Sequence, residues 1–239
     1  MRERNFEETF QRNFISSVAF EVVFIPLMKI AALIPNFQEK IRDDLPNYQY
    51  GFPINVERSI QIPEELSDWI FSSNDEKSYV KVAINRVAYI QTFYDGFENF
   101  TNQVNKYLKA FQEITKINKY KRIGLRYKNE FIFEDKSKSL DDTLVYFNPY
   151  INNELIKNEK PFRFTSELRK DEEQNKITCW NIFETTKNEI TRYIIDIDSF
   201  CEKEIEKNGL VKKLDELHKL AIQEFHRNVK EKFLSLMRS

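Results

Sequence analysis

Two carboxylates spaced two residues apart are the first place in this sequence where chemistry could be done. They are Asp196 and Asp198 in TRYIIDIDSF, residues 191–200. Side chains alternate along an extended strand, so both fall on one face together with Arg192. Paired carboxylates can hold a divalent cation for phosphoryl transfer. Such a centre needs a third acidic ligand and room for a phosphate, and no glycine-rich loop or further acidic motif marks either. Ion pairing across strands with Arg122, Arg126, Arg163 or Arg169 is the simpler expectation.

A second candidate is KYKRIGLRYKNEF, residues 119–131, where five basic residues precede a single acid. In a strand, Ile123, Leu125 and Tyr127 point one way, and Arg122, Gly124, Arg126 and Lys128 the other. Gly124 then leaves bare backbone between two arginines. That is either a floor for an anion, a peptide carboxylate or a stacked base, or room for an aromatic ring from a neighbouring strand. The expected binding residues are thus Arg122, Gly124, Arg126 and Lys128, with Asp196 and Asp198. The wider run from Lys116 to Lys128 holds six Lys and Arg interleaved with Tyr120 and Tyr127. Basic residues between aromatics can track single-stranded nucleic acid. Lysines at a helix C-terminus are also favourable for dipole reasons alone.

A secondary candidate is His218, on a helical face with Leu214, Leu217, Ala221 and Phe225. It could serve as a general base only with a carboxylate and a nucleophile that the sequence does not supply. His226 is turned about 80° from it around a helix, so the two do not form an i, i+4 metal pair. Cys179 and Cys201 match no metal or redox spacing and read as inert thiols of a reducing compartment. No catalytic residue, metal ion or cofactor is implied, and the reading leans to a binding protein over an enzyme.

The composition narrows the function classes. The chain has 239 residues, with 37 basic against 38 acidic side chains and a net charge of -1. A protein that neutralises many phosphates shows a basic excess or a basic face, so a dedicated nucleic-acid binder is disfavoured. Four glycines argue against phosphate-cradling loops, and 21 Phe with 11 Tyr predict an aromatic core. The apolar stretch over residues 14–34 contains Glu21, Pro26 and Lys29, which does not suit a membrane span. The expectation is a cytoplasmic protein without a membrane segment.

The elements that must position these residues follow from hydrophobic periodicity. Residues 1–13 read as a loose polar arm or an edge element. VAFEVVF (18–24) alternates as a strand, with Ala19 and Val23 filling its second face. Phe37, Ile41 and Leu45 mark a short helix before Pro46. Strands are predicted over 54–62, 68–73 and 79–93, the last with a phase slip at Asn85 and Arg86 that suggests a bulge. A helix follows over 96–117. The second half repeats this order: a strand over 122–133, a helical or irregular connection over 139–156, strands over 162–171, 176–186 and 191–200, and one long helix over 210–237. The fold class expected is α+β: two tandem strand–helix–three-strand–helix halves, 1–118 and 119–239, in one compact unit. They would build a curved antiparallel sheet with helices on one face, on a TATA-binding-protein-like or helix-grip-like plan.

The sequence also resembles a sporadically distributed prokaryotic protein family of similar length and uncharacterised activity. The resemblance rests on VAFEVVF, IRDDLPNY, RIGLRY with Asn129, the DID of 196–198, and LDELHKLAIQEF. Lys128 stands where the family usually has an apolar residue, and Phe14 where it often has proline. The family's patchy spread implies an accessory role linked to mobile elements or phage defence. Taken together, the expected function is non-catalytic engagement of a protein partner through an open sheet face. Self-association into a homo-oligomer is a further partner class, nucleic-acid binding by residues 116–128 is the alternative, and metal-dependent phosphoryl transfer ranks last.

Overall fold

The structure, a computed structural model, describes residues 12–51, 68–133, 140–150, 163–185 and 191–238. The strand expected over 54–62 and most of the polar arm lie outside these residues. The architecture is mixed α+β with a large antiparallel sheet. Among the described residues, nine strands follow the order β2-β3-β4-β5-β1-β7-β10-β9-β8. These are β1 (Ile15–Val23), β2 (Asn47–Gly51), β3 (Asp68–Ser72), β4 (Ser78–Ala83), β5 (Arg86–Gln91), β7 (Arg122–Phe133), β8 (Arg163–Glu172), β9 (Asn175–Thr185) and β10 (Thr191–Cys201). A separate two-stranded pair joins β6 (Lys119–Tyr120) to β11 (Ile205–Glu206). The helices are α1 (Ile30–Ile41), α2 (Phe97–Thr115), the single-turn α3 (Leu140–Thr143), α4 (Leu210–Asn228) and α5 (Glu231–Arg238). Among the described residues no helix is long and apolar enough to cross a membrane.

Contacts divide the chain into two units. One comprises Ser17–Leu125 with Cys201–Leu214. Its core follows from alternation in β1, where Val18, Phe20 and Val22, continued by Phe24, are buried. The opposite face, with Ala19 and Val23, is only half-buried, less than the sequence suggested. Phe24 meets Phe111 of α2 at 5.6 Å between ring centroids, and Phe37 of α1 meets Phe111 at 5.8 Å and Phe71 at 5.7 Å. Helix α1 starts earlier than its Phe37–Ile41 periodicity implied, because Ile30 and Ile34 extend the same stripe at four-residue spacing. The phase slip at Asn85 and Arg86 is not a bulge. Ala83 pairs with Arg86, so β4 and β5 form a hairpin with Ile84 and Asn85 at its tip. The carbonyls of that tip accept bonds from the Phe24 and Leu27 amides at 2.9 and 2.8 Å, which satisfies both and fixes the turn.

The other unit comprises Met1–Ser16, Arg126–Phe200 and Asp215–Ser239. In it β8, β9 and β10 pair antiparallel. The inward face of these strands meets the helices. Ser199 Oγ donates to the Leu217 carbonyl at 3.0 Å, and Phe147 stacks on Tyr193 with centroids 4.1 Å apart. Phe14, Phe131, Phe147 and Phe233 complete an aromatic cluster at α5. The predicted single C-terminal helix is interrupted after Asn228, because Val229 forms a β-bridge with Phe147. Asn148 N donates to the Asn228 carbonyl and Lys230 N to the Tyr146 carbonyl, both at 2.8 Å, so the break keeps these backbone groups bonded.

Candidate functional site

The strand face opposite the helices carries most of the residues that the sequence singled out. Alternation puts Arg126, Lys128 and Glu130 of β7 on this face, with Arg192, Ile194, Asp196 and Asp198 of β10. Register then aligns β9 and β8: Asp196 sits opposite Trp180, and Trp180 opposite Glu167. Ile194 lies opposite Ile182, and Ile182 opposite Thr165. Arg192 lies opposite Glu184, and Glu184 opposite Arg163.

Asp196 is the anchor of the central row. Its carboxylate is 7% exposed as a residue and accepts two bonds from Arg126, Nε to Oδ1 and Nη2 to Oδ2, both at 2.7 Å. This bidentate fork is the strong form of a carboxylate–guanidinium pair. The bond to Asp196, aided by the charges of Asp196 and Asp198, raises the Arg126 pKa above its ordinary value despite opposing desolvation. The same guanidinium lies over the Trp180 ring, 5.4 Å from its centroid, a cation–π arrangement. Trp180 itself is half-buried. Arg126 thus covers an indole and neutralises a buried carboxylate at once.

The next charged row is an alternating ladder. Arg192 bonds Glu130 at 2.8 Å and also pairs with Glu184, and Arg163 approaches Glu184 at 3.8 Å. Arg169 pairs with Glu167 two residues away on its own strand. Asp198 faces Thr178 across the β10–β9 ladder. The flanking Arg126–Asp196 and Glu130–Arg192 pairs set half-buried Lys128 level with Ile194. Among the described residues no group of three His, Cys, Asp or Glu is placed to share a metal ion. The carboxylate pair proposed from sequence for that role has Asp196 occupied by Arg126.

In the unit of Ser17–Leu125, Arg122 of β7 pairs with an acid of β1. Its Nη1 bonds Glu21 of β1 at 3.0 Å. Gly124 is the surface on which Arg122 lies: a Cβ built at Gly124 would stand 2.8 Å from Arg122 Nη1. The bare backbone anticipated as a ligand floor, or as room for a neighbouring ring, is covered by the chain's own arginine. Two further residues of the basic run have local structural roles. Lys119 bonds Glu204 at 2.9 Å, and Lys116 is the left-handed residue that caps α2, with φ of 59°.

His218 is half-buried on α4, and its Nδ1 shares a hydrogen bond of 2.9 Å with the Tyr127 hydroxyl. Desolvation lowers its pKa to about 4, so it is neutral at physiological pH. The bond satisfies one polar atom of the imidazole and the hydroxyl of Tyr127 where both are shielded from water.

Sequence reasoning missed a buried polar chain beneath α4. Tyr193 Oη donates to Asn181 Oδ1 at 3.0 Å, Asn181 Nδ2 to Asn228 Oδ1 at 2.7 Å, and Asn228 Nδ2 to the Tyr150 hydroxyl at 2.7 Å. Glu224, with 0% exposure, closes the chain against Lys170 at 3.1 Å and Arg227 at 3.0 Å. Burial raises the Glu224 pKa. Burial also pushes the neighbouring Cys179 thiol up to about 12, which leaves it protonated and unreactive. The signal was present in the sequence. Continuing the stripe Leu214, Leu217, Ala221 by three and four residues reaches Glu224 and Asn228, polar residues at core positions.

No protein-family model and no curated protein matches this chain.

Proposed function

We propose that the chain is a non-catalytic binding protein that takes a protein or peptide partner on the strand face centred on Trp180. One observation carries the reading: a half-buried indole lies beneath the Arg126 guanidinium, beside Ile182 and Ile194, within rows of balanced charge. Tryptophan and arginine dominate the binding energy of protein interfaces when a charged, solvated rim surrounds them. The rows on this face hold six cations and six anions among the described residues, counted from Arg126, Lys128, Arg163, Arg169, Lys176 and Arg192 against Glu130, Glu167, Asp171, Glu184, Asp196 and Asp198. A polyanion gains little from a surface of zero net charge, whereas a protein of mixed charge can match it. The pairing of Lys119 with Glu204 and of Arg122 with Glu21 weakens the nucleic-acid alternative in the same way.

The element order supports a finer reading of the fold as tandem strand–helix–strand halves on the TATA-binding-protein-like or helix-grip-like plan, with the partner face opposite the helices. The resemblance to a sporadically distributed prokaryotic family supports an accessory role in the cytoplasm, in a phage-defence, toxin–antitoxin or other mobile-element system. The test is affinity isolation from the native host with the wild-type chain and with Trp180→Ala, both verified as folded. The wild type should recover a stoichiometric protein and the variant should lose it. Recovery of no stoichiometric protein, or equal recovery by both, overturns the proposal. Salt-sensitive binding of short RNA or DNA that Arg122→Ala and Arg126→Ala abolish would favour the alternative.

A further inference from the structure

Among the described residues, strand β8 ends the strand order, paired with β9 on one side only. It runs for ten residues, RFTSELRKDE, and its side chains alternate between exposed and half-buried along its whole length. A strand edge of this length presents a row of backbone donors and acceptors to any chain that can align with it. Charged residues on an edge ordinarily prevent that alignment. Here their order leaves one alignment open.

We propose that β8 pairs antiparallel with β8 of a second copy of this chain, about a two-fold axis through Leu168. In this register Glu167 opposes Arg169 of the second copy, and Arg169 opposes its Glu167. Leu168 meets Leu168, Ser166 meets Lys170, and Thr165 meets Asp171. Opposed residues share a face of the sheet, as continuous pairing requires. The registers displaced by one pleat repeat are excluded by charge. One sets Glu167 against Glu167 on the axis, and the other sets Arg169 against Arg169 and Glu167 against Asp171. Like charges directly opposed across strands are destabilising.

Both residues are available. The Arg169 side chain is 75% exposed and that of Glu167 36% exposed, and they pair with each other along the strand. Self-association exchanges that contact for a four-residue cluster across the axis. A C2 contact of this kind is isologous and closed, so it ends at the dimer. It also joins two copies of the Trp180 face. Three inter-strand steps and a two-residue offset place the two indoles about 16 Å apart. The pairing does not depend on the partner proposed above, since it is read from self-association of the purified chain alone.

The experiment is sedimentation equilibrium over roughly 1–100 µM, for the wild type, Glu167→Arg, Arg169→Glu and the double exchange. The wild type should dimerise reversibly. Each single variant opposes like charges at both symmetric contacts, and should weaken self-association by about ten- to a hundredfold. Mixing the two single variants should restore association, because arginine on one then faces glutamate on the other at both contacts. The double exchange should dimerise on its own. Circular dichroism confirms folding, and Glu167→Lys with Arg169→Asp replaces any variant that fails. A wild type that stays monomeric throughout overturns the proposal. So do single variants that dimerise like the wild type, or a mixture no more associated than its components.

Discussion

Replacing Arg126 with alanine should destabilise the protein by about 2 kcal/mol, and the structure sets that figure from two sides. Breaking a fully buried ion pair by truncating one partner costs about 3–5 kcal/mol, because the remaining charge is stranded. A fully exposed pair contributes about 1 kcal/mol or less. Here the Asp196 side chain is 10% exposed and the Arg126 side chain 53%. The charge left behind is the buried one, so the cost lies above the surface value, while solvent entering the space left by Arg126 keeps it below the buried value. Loss of the guanidinium from the Trp180 ring adds about 0.5–1 kcal/mol to the same variant. The assay is urea unfolding at pH 7 of the wild type, Arg126→Ala, Asp196→Asn and the double variant. The double variant removes both charges, so the cycle should return a coupling energy of about 1–2 kcal/mol. Arg126→Lys should recover part of the loss at most, because an ammonium cannot reproduce the two-bond fork. A deficit below about 0.5 kcal/mol with no coupling would refute the argument that Asp196 requires this partner.

Three further outcomes follow from the other sites. Gly124→Ala should cost about 1 kcal/mol in the wild type by displacing Arg122 from its place beside Glu21, yet be neutral or stabilising in an Arg122→Ala background, where the strand gains alanine over glycine; equal effects in both backgrounds would separate the glycine from the arginine. His218 has a folded pKa of about 4 against an ordinary 6.5, so the unfolded chain binds the extra proton between these values. Stability is then complete above pH 6.5 and falls by up to about 3 kcal/mol toward pH 4; NMR of the chain's two histidines tests it, and a His218 midpoint near 6.5 would show the burial argument to be wrong. Glu224 has a raised folded pKa, so its contribution is complete below the ordinary 4.5 and declines as pH rises through the folded value. Glu224→Gln should therefore gain on the wild type across that window in urea midpoints, and a deficit that grows with pH would mean that Lys170 and Arg227 outweigh desolvation.

Strand faces were legible in the sequence because alternation is a local property. RIGLRYKNEFIF occupies β7 over Arg122–Phe133 with Ile123, Leu125 and Tyr127 buried. Helix α2 was legible for the same reason, from apolar residues at threes and fours ending near a lysine-rich cap. What sequence could not supply was which strands lie side by side. Arg122 and Arg126 share a face, yet Arg122 pairs with Glu21 on β1 and Arg126 with Asp196 on β10. Which acids these arginines meet depends on the strands beside β7, a fact of topology rather than of periodicity. The hairpin at Ile84 and Asn85 failed for a related reason. A phase change is common to a bulge and a two-residue turn, and only the returning bonds from Phe24 and Leu27 decide between them.

The pattern of internal pairing bears on what a partner can gain from the Trp180 face. Arg126, Arg192, Glu130, Glu184 and Asp196 already hold bonds of 2.8 Å or less. An incoming charge must compete with these contacts, and replacing one such bond by another is close to neutral. The apolar groups differ. Trp180 and Ile182 remain half-buried, so covering them removes further area from water at about 25 cal/mol per Å². Binding energy on this face should therefore concentrate on Trp180 and Ile182, and the charged rows should govern which partner fits and in what orientation. A paired set of affinities separates these roles. Truncating Trp180 should raise the dissociation rate, whereas reversing Glu167 or Arg163 at the rim should mainly change the association rate and its dependence on salt. If the rim reversals abolish binding while Trp180→Ala leaves it intact, the face binds through charge and the central indole is only part of the fold.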